Sequence, residues 1–325
     1  MNRLLRQPGN ARFAGVFALA CLLLVLTGCA STPTLSPEAA RVLPQRTLID
    51  DVPFHAQRDY QCGPASLAMA LGASGVSVDV DTLIPQVFLP GRKGSVQPEM
   101  LATIRRHGRI PFPLEGGFEA LLAELDANHP VVVMQNLSLP VWPVWHYAVA
   151  IGYDRPAEEL ILHSGTTAKR RVTFDRFDAT WARSERWGFI ALAPGELPAS
   201  GDADSAIRAI TDFESAQGAQ AALPAWNALA ERYPDSAMTH FALGNARHAT
   251  GDTNGAIAAF RAATRADTEL APAWLNLGLL LKGRDDIEPA RHAFEQAAML
   301  PGPWQSRARE ELASLEQDRR AYREL

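Results

Sequence analysis

Apolar and polar positions between residues 47 and 195 follow two local rhythms. Leu67, Ala70 and Leu71 fall on one face at helical spacing, with Pro64 in the first turn and Gly72 or Gly75 able to end the helix. Two further helices are predicted from Gln97 to His107, stopped by Gly108, and from Phe118 to Asn128. After residue 130 the pattern changes to short apolar runs of strand length. These are Pro130–Gln135, Tyr147–Tyr153 (bounded by Gly152 and Asp154) and Leu160–Gly165, with Arg171–Phe174 continuing the sheet. Helices first and antiparallel strands later predict an α+β domain, and roughly 150 residues suffice for one core of that kind.

A slower rhythm governs the rest. Pro194-Gly195 and Pro198-Ala199-Ser200-Gly201 mark a linker, after which the composition turns alanine-rich and repeats every 34 residues. Gly244 recurs as Gly278, Ala256 as Ala290, Phe260 as Phe294 and Ala263 as Ala297. This pattern resembles tetratricopeptide repeats, with Pro301 near the close of the second unit. Extended backward, the register meets Ala222 and Trp226, with Leu229 at the last alanine position. A degenerate unit is therefore expected to begin near residue 203. Leu312 and Leu315 lie on an otherwise charged final helix, as a solubilising cap should.

The N-terminus carries a third signal. Arg3, Arg6 and Arg12 precede the apolar run Phe13–Leu26, which is too short for an ordinary membrane span. It ends in Leu26-Thr27-Gly28-Cys29, which resembles the lipobox of bacterial lipoproteins. The resemblance implies cleavage before Cys29 and lipidation of that cysteine, with three acyl chains as a firm membrane anchor. Ala30 at the next position favours the outer membrane, facing the periplasm. The expected layout is a signal peptide over 1–28, a Ser/Thr/Pro/Ala tether over 29–46, a domain over 47–195, a linker over 196–202 and repeats with a cap over 203–325.

Of the three cysteines, Cys21 would leave with the signal and Cys29 would be lipidated, so Cys62 alone would remain a thiol. A lone cysteine is often just a small buried hydrophobe. Here it lies in Gln57-Arg58-Asp59-Tyr60-Gln61-Cys62-Gly63-Pro64-Ala65, where a loop should turn into a helix. His146-Tyr147-Ala148-Val149 follows 84 residues later, with the histidine opening a strand. A helix start and a histidine partner favour a thiolate, so a depressed thiol pKa is expected.

These two motifs resemble the bacteriocin-processing, or double-glycine leader, peptidases and their papain-like relatives, over about residues 45–190. The resemblance implies a papain-like α+β cysteine peptidase domain, here followed by an all-α tetratricopeptide-repeat solenoid. It also implies Cys62 as nucleophile, His146 as base and Gln57 as an oxyanion donor beside the Cys62 N–H; Gln61 competes with Gln57 for that role. One element departs from the family. Leu160-Ile161-Leu162-His163-Ser164-Gly165 has no Asp-Pro where the acid that orients the base is expected. His163 or Ser164 takes that place, with Ser164 expected to accept from the His146 Nδ1–H. Asp154 and Asp175 are the other carboxylates considered.

Charge narrows the range of partners. Residues 1–199 hold 18 acidic and 18 basic side chains and residues 200–325 hold 18 and 13, so the net charge of −5 comes from the repeat half. No basic stripe exists, which argues against nucleic acid. No Cys-x-x-Cys or His-Glu-x-x-His motif occurs, and neither metal nor cofactor is expected. The expected partners are a protein or peptide substrate, a protein bound through the repeats, and the membrane through the anchor. Two rivals to hydrolysis stay open at this level: transfer of the thioester to an amine, and an inert scaffold that binds partners through its repeats.

Overall fold

The computed structural model describes residues 32–57, 61–89, 91 and 94–323, with side chains up to residue 317. The signal segment and Cys29 lie outside the described residues. No described helix is long and apolar enough to cross a membrane.

The N-terminal part is an α+β domain built on a seven-stranded sheet in the order β4-β9-β5-β6-β7-β8, with β1 (Arg46–Leu48) paired to the far end of β6. A short helix, α1 (Pro37–Val42), precedes β1; α2 (Cys62–Ala73) and α3 (Val80–Val87) follow it. The ribbon β2 (Phe88–Leu89) and β3 (Gly94–Ser95) leads into α4 (Gln97–Arg106), β4 (Ile110–Pro113) and α5 (Gly117–Asp126). The rest of the sheet comprises β5 (Val131–Asn136), β6 (Trp145–Asp154), β7 (Glu159–Ser164) and β8 (Thr167–Thr173). Helix α6 (Phe174–Trp181) and β9 (Gly188–Leu192) complete the domain, and every named sheet pairing is antiparallel. Phe174 opens α6 instead of extending the sheet.

Helix α2 is buried from Gly63 to Leu71 because nearly all its residues are small or apolar. It packs on β6 as the central helix of the domain. Gly63 is required by a close approach: a Cβ there would overlap Ser95 Oγ and sit 3.2 Å from the Met100 sulfur. This contact brings the β2–β3 ribbon down over the start of α2.

Beyond β9 the named elements of the described residues are helices: α7 (Ala203–Gln217), α8 (Ala219–Arg232), α9 (Ala237–Ala249), α10 (Thr253–Ala266), α11 (Ala271–Lys282), α12 (Ile287–Met299) and α13 (Gln305–Arg323). The 34-residue period has a plain packing cause. A Cβ at Gly244 would meet the Phe260 ring at 2.6 Å, and one at Gly278 would meet Phe294 at 2.5 Å. In each unit the glycine lets the ring of the second helix lie against the backbone of the first.

The linker does not separate two independently packed bodies. The Glu124 side chain, fully buried, accepts from Ala199 N (3.1 Å), Ser200 N (2.7 Å), Ser200 Oγ (2.5 Å) and His129 Nδ1 (2.8 Å). Those bonds outweigh burial and hold its carboxyl below the usual carboxylate range. Arg105 pairs with Asp212 at 2.6 Å, and Gln217 Nε2 donates to Arg105 O at 2.8 Å. Ile210, Phe213, Trp226 and Leu229 share one continuous core with the sheet, whereas Phe294 and Leu315 belong to a second core. The degenerate helix pair is thus docked on the sheet domain, and the regular repeats extend from it.

Candidate active site

The site forms where two strands part. β6 pairs with β5 from Trp145 to Ala150, but its pairing with β7 begins only at Val149. This leaves the backbone of Tyr147 unpaired on one edge, and the loop before α2 takes up both of its groups. Gln57 Nε2 donates to Tyr147 O at 3.1 Å, and the Tyr147 N–H donates to Cys62 Sγ. Gln57 N also donates to Gly165 O at 3.0 Å, pinning the loop to the β7–β8 turn. Gln57, Cys62 and His146 line one groove of about 1390 Å³, together with Ser95, Tyr147 and Trp145.

Cys62 is the first residue of α2, with Gln61 as the N-cap residue. Like that of Tyr147, the backbone N–H groups of Gly63 and of Cys62 itself lie near enough to the sulfur to favour the thiolate. Burial outweighs all three and pushes the thiol pKa up. His146 is affected the same way: burial, then the positive charge of Arg170, lowers it to about 4. The thiol and the imidazole that line this groove are therefore both neutral at rest. This departs from the depressed thiol expected from the helix start, because no charge close to the sulfur offsets its loss of water.

His146 Nε2 lies 2.9 Å from Ser164 Oγ, so the serine does hold the imidazole, but through Nε2 and not the expected Nδ1. His163 plays no part in this. It is buried, with Nε2 3.2 Å from Val52 O, Nδ1 accepting from Lys169 N at 3.2 Å, and its ring against Phe54. Alternation along β7 gives the two neighbours opposite faces. Asp154 sits at the other end of β6, bound by Arg46 at 3.0 Å and Arg171 at 3.5 Å, and Asp175 lies in the first turn of α6. Neither lines the groove. Gln61 is absent from the lining as well, whereas Gln57 is present.

Two contributions were not foreseen from the sequence. The Tyr147 backbone ties nucleophile and glutamine to one strand edge, and its only sequence signal was its place after His146. The apolar loop between β5 and β6, which supplies Pro143, Val144 and Trp145 to the groove wall, had no signal beyond its composition.

Comparison with known proteins gives two family matches. Residues 49–188 match the Peptidase_C39 like family, and residues 239–269 and 271–301 match the tetratricopeptide repeat. No curated protein sequence matches the chain significantly. Among solved structures, a putative C39-like peptidase from Bacillus anthracis is similar at 18% identity and a TM-score of 0.39, covering 46% of this chain and 98% of its own. The TPR2B domain of yeast Sti1, in a pHsp70 complex, is similar at 15% identity and a TM-score of 0.33, covering 36% of this chain and 97% of its own. MamA is similar at 19% identity and a TM-score of 0.34, covering 36% and 68%. The chain thus carries a C39-like peptidase domain followed by tetratricopeptide repeats.

Proposed function

We propose that this chain is an envelope-anchored cysteine peptidase that hydrolyses a peptide or amide bond through a thioester, with Cys62 as nucleophile and His146 as general base. The observation that supports it most is the convergence on one strand edge: Cys62 Sγ and Gln57 Nε2 on the two backbone groups of Tyr147, next to an imidazole held by Ser164. With Nε2–H donated to Ser164, Nδ1 keeps the lone pair that takes the thiol proton as sulfur attacks the carbonyl. A histidine at about 4 is almost wholly neutral at pH 7, as a base must be. Gln57 Nε2 has two hydrogens and spends one on Tyr147 O; the other, with the Cys62 N–H, faces the developing oxyanion. The imidazolium then protonates the leaving amine, and water resolves the thioester.

The repeats, by this reading, recruit a protein partner. On the inner helices Asn276 Nδ2 donates to Asn245 Oδ1 at 3.1 Å and Leu279 is exposed, which leaves these groups available to an extended chain. Trp274 donates to Thr268 O at 2.9 Å and meets the His292 ring edge-to-face, so its role is packing. Lipidation at Cys29 would hold the whole chain at a membrane, the outer membrane of a diderm cell.

The test is product analysis on the purified full chain with a peptide library, with and without an added amine. Hydrolysis products that vanish in Cys62→Ala and in His146→Ala support the reading. An amide product with the added amine would replace it with acyl transfer, and no Cys62-dependent product would leave a binding scaffold.

A further inference from the structure

The loop joining β5 to β6 is the most exposed apolar feature of the described residues. Leu137, Leu139, Val141, Trp142, Val144 and Trp145 all stand open to solvent, Val141 and Trp142 at 81% each. No charged residue interrupts the stretch from Asn136 to Trp145. Yet the loop is firmly built. Asn136 Oδ1 accepts from Ser138 N (3.1 Å) and Val144 N (3.0 Å), Leu137 N donates to Val144 O at 2.9 Å, and Trp142 N donates to Leu139 O at 3.0 Å. Arg183 clamps its base from below through Asn136 O (3.2 Å) and Ser138 O (2.8 Å). An ordered tip of this kind loses little conformational freedom when it meets a partner.

Only Pro143, Val144 and Trp145 face the groove; Leu139, Val141 and Trp142 project past it and do not line it. The substrate groove therefore does not account for the tip. The course of the tether indicates what does. Ser36 Oγ donates to Glu119 Oε2 at 3.2 Å in the first turn of α5, while Arg155, past the far end of β6, donates to Leu43 O (2.5 Å) and Ala40 O (2.8 Å). Helix α5 runs down to a short turn, and β5 returns from there up to the loop. Followed backward from Leu43 to Ser36, the chain climbs toward the end of the sheet that carries the loop. Six residues separate Ser36 from Cys29, so the seven Cα steps between them reach at most about 25 Å.

We propose that the Leu137–Trp145 loop dips into the surface of the lipid bilayer and sets the mouth of the groove against it. The proposal rests on the envelope reading above. Tryptophan at a rigid, uncharged tip suits the headgroup region, where its ring is buried and its N–H stays wet. Together with the lipid at Cys29 the loop makes a second attachment, which fixes the orientation that one flexible tether leaves free. The peptide reaching Cys62 is then one held at the same membrane surface.

The experiment uses the full chain in vesicles of phosphatidylethanolamine and phosphatidylglycerol, a fraction of them carrying brominated acyl chains. Tryptophan quenching is compared between the parent and Trp142→Phe, a change at an exposed site that removes no packing. The expected result is strong quenching in the parent, most of it lost in Trp142→Phe. Absent quenching, or quenching indifferent to Trp142, overturns the proposal. Mass measurement of the mature N-terminus reads the anchor separately, so a lipidated chain with an unquenched Trp142 refutes the loop and leaves the envelope reading standing. A Val141→Asp chain, which keeps Trp142 as the reporter, decides between bilayer and peptide. Loss of quenching with unchanged cleavage of a soluble peptide supports the membrane role; impaired cleavage of that peptide with unchanged quenching makes the loop a substrate platform instead.

Discussion

The repeat half and the sheet domain both bury large aromatic rings, but they do so by opposite routes. In the repeats one local contact is used twice: Gly244 under Phe260 and Gly278 under Phe294, each pair sixteen residues apart. In the sheet domain the decisive contact joins residues far apart in sequence, Gln57 to Tyr147, 90 residues along the chain. A repeated contact can change in one unit while its neighbours persist. A convergent site has no second copy. Damage should therefore be graded in one half and all-or-none in the other.

The largest effect tests the all-or-none side. Cys62→Ala should abolish turnover, a loss on the order of 10⁶-fold by analogy with other covalent nucleophiles, while thermal stability stays near the parent's because the residue is only partly buried. Turnover surviving in the variant would remove the nucleophile from the proposal. Truncation tests the boundary between the halves. Removing residues 235–325 should leave a folded domain that still reacts with a small thiol reagent but loses processing of its natural target. Removing residues 200–325 should unfold it, since Ile210 and Trp226 leave the shared core and Glu124 loses the two donors of Ser200. If both truncations behave alike in a melting experiment, the degenerate pair is not part of the domain.

The same contrast explains what the sequence made legible. Four positions at a fixed spacing revealed the repeats, because each records a local packing need. The Cys62 and His146 motifs likewise named the elements that carry them, α2 and β6. What stayed hidden depends on surroundings. Whether His163 or Ser164 holds the base is set by which face of β7 points at the groove, and both residue types suit the task. The thiol's direction of shift was misread because a helix start is visible in sequence and depth of burial is not. Residues 203–232 read as a repeat, and what that reading could not show is that they also dock on the sheet domain, through Asp212 and the linker's bonds to Glu124.

A smaller effect tests the graded side. Gly278→Ala places a methyl against the Phe294 ring, and overpacking of this kind costs about 1–3 kcal/mol. Calorimetry should show a lowered transition for the outer repeats with the sheet domain's melting unchanged. A drop shared equally by the whole molecule would mean the two cores unfold as one.

The finest test concerns protons at the convergent site. His146 titrates near 4 in the folded chain, against about 6.5 when free. The unfolded chain therefore takes up that proton first, and stability contributed by this group is lost as pH falls from about 6.5 toward 4. Hydrolysis should accordingly keep its base form down to about pH 4. The partly buried thiol should be alkylated by iodoacetamide with a midpoint above the ordinary value of about 8.5, with no fast phase near neutrality. Ser164→Asp supplies the carboxylate that the site lacks. It should raise the His146 pKa and move the acid limb of kcat/KM upward by about a unit, while the alkylation midpoint does not fall, because the imidazole is still neutral at the pH where the thiol ionises. Ser164→Ala should lower kcat and leave both midpoints where they were. If aspartate and alanine give the same pH profile, residue 164 does not touch the base in solution, and the Nε2 contact is not what holds it.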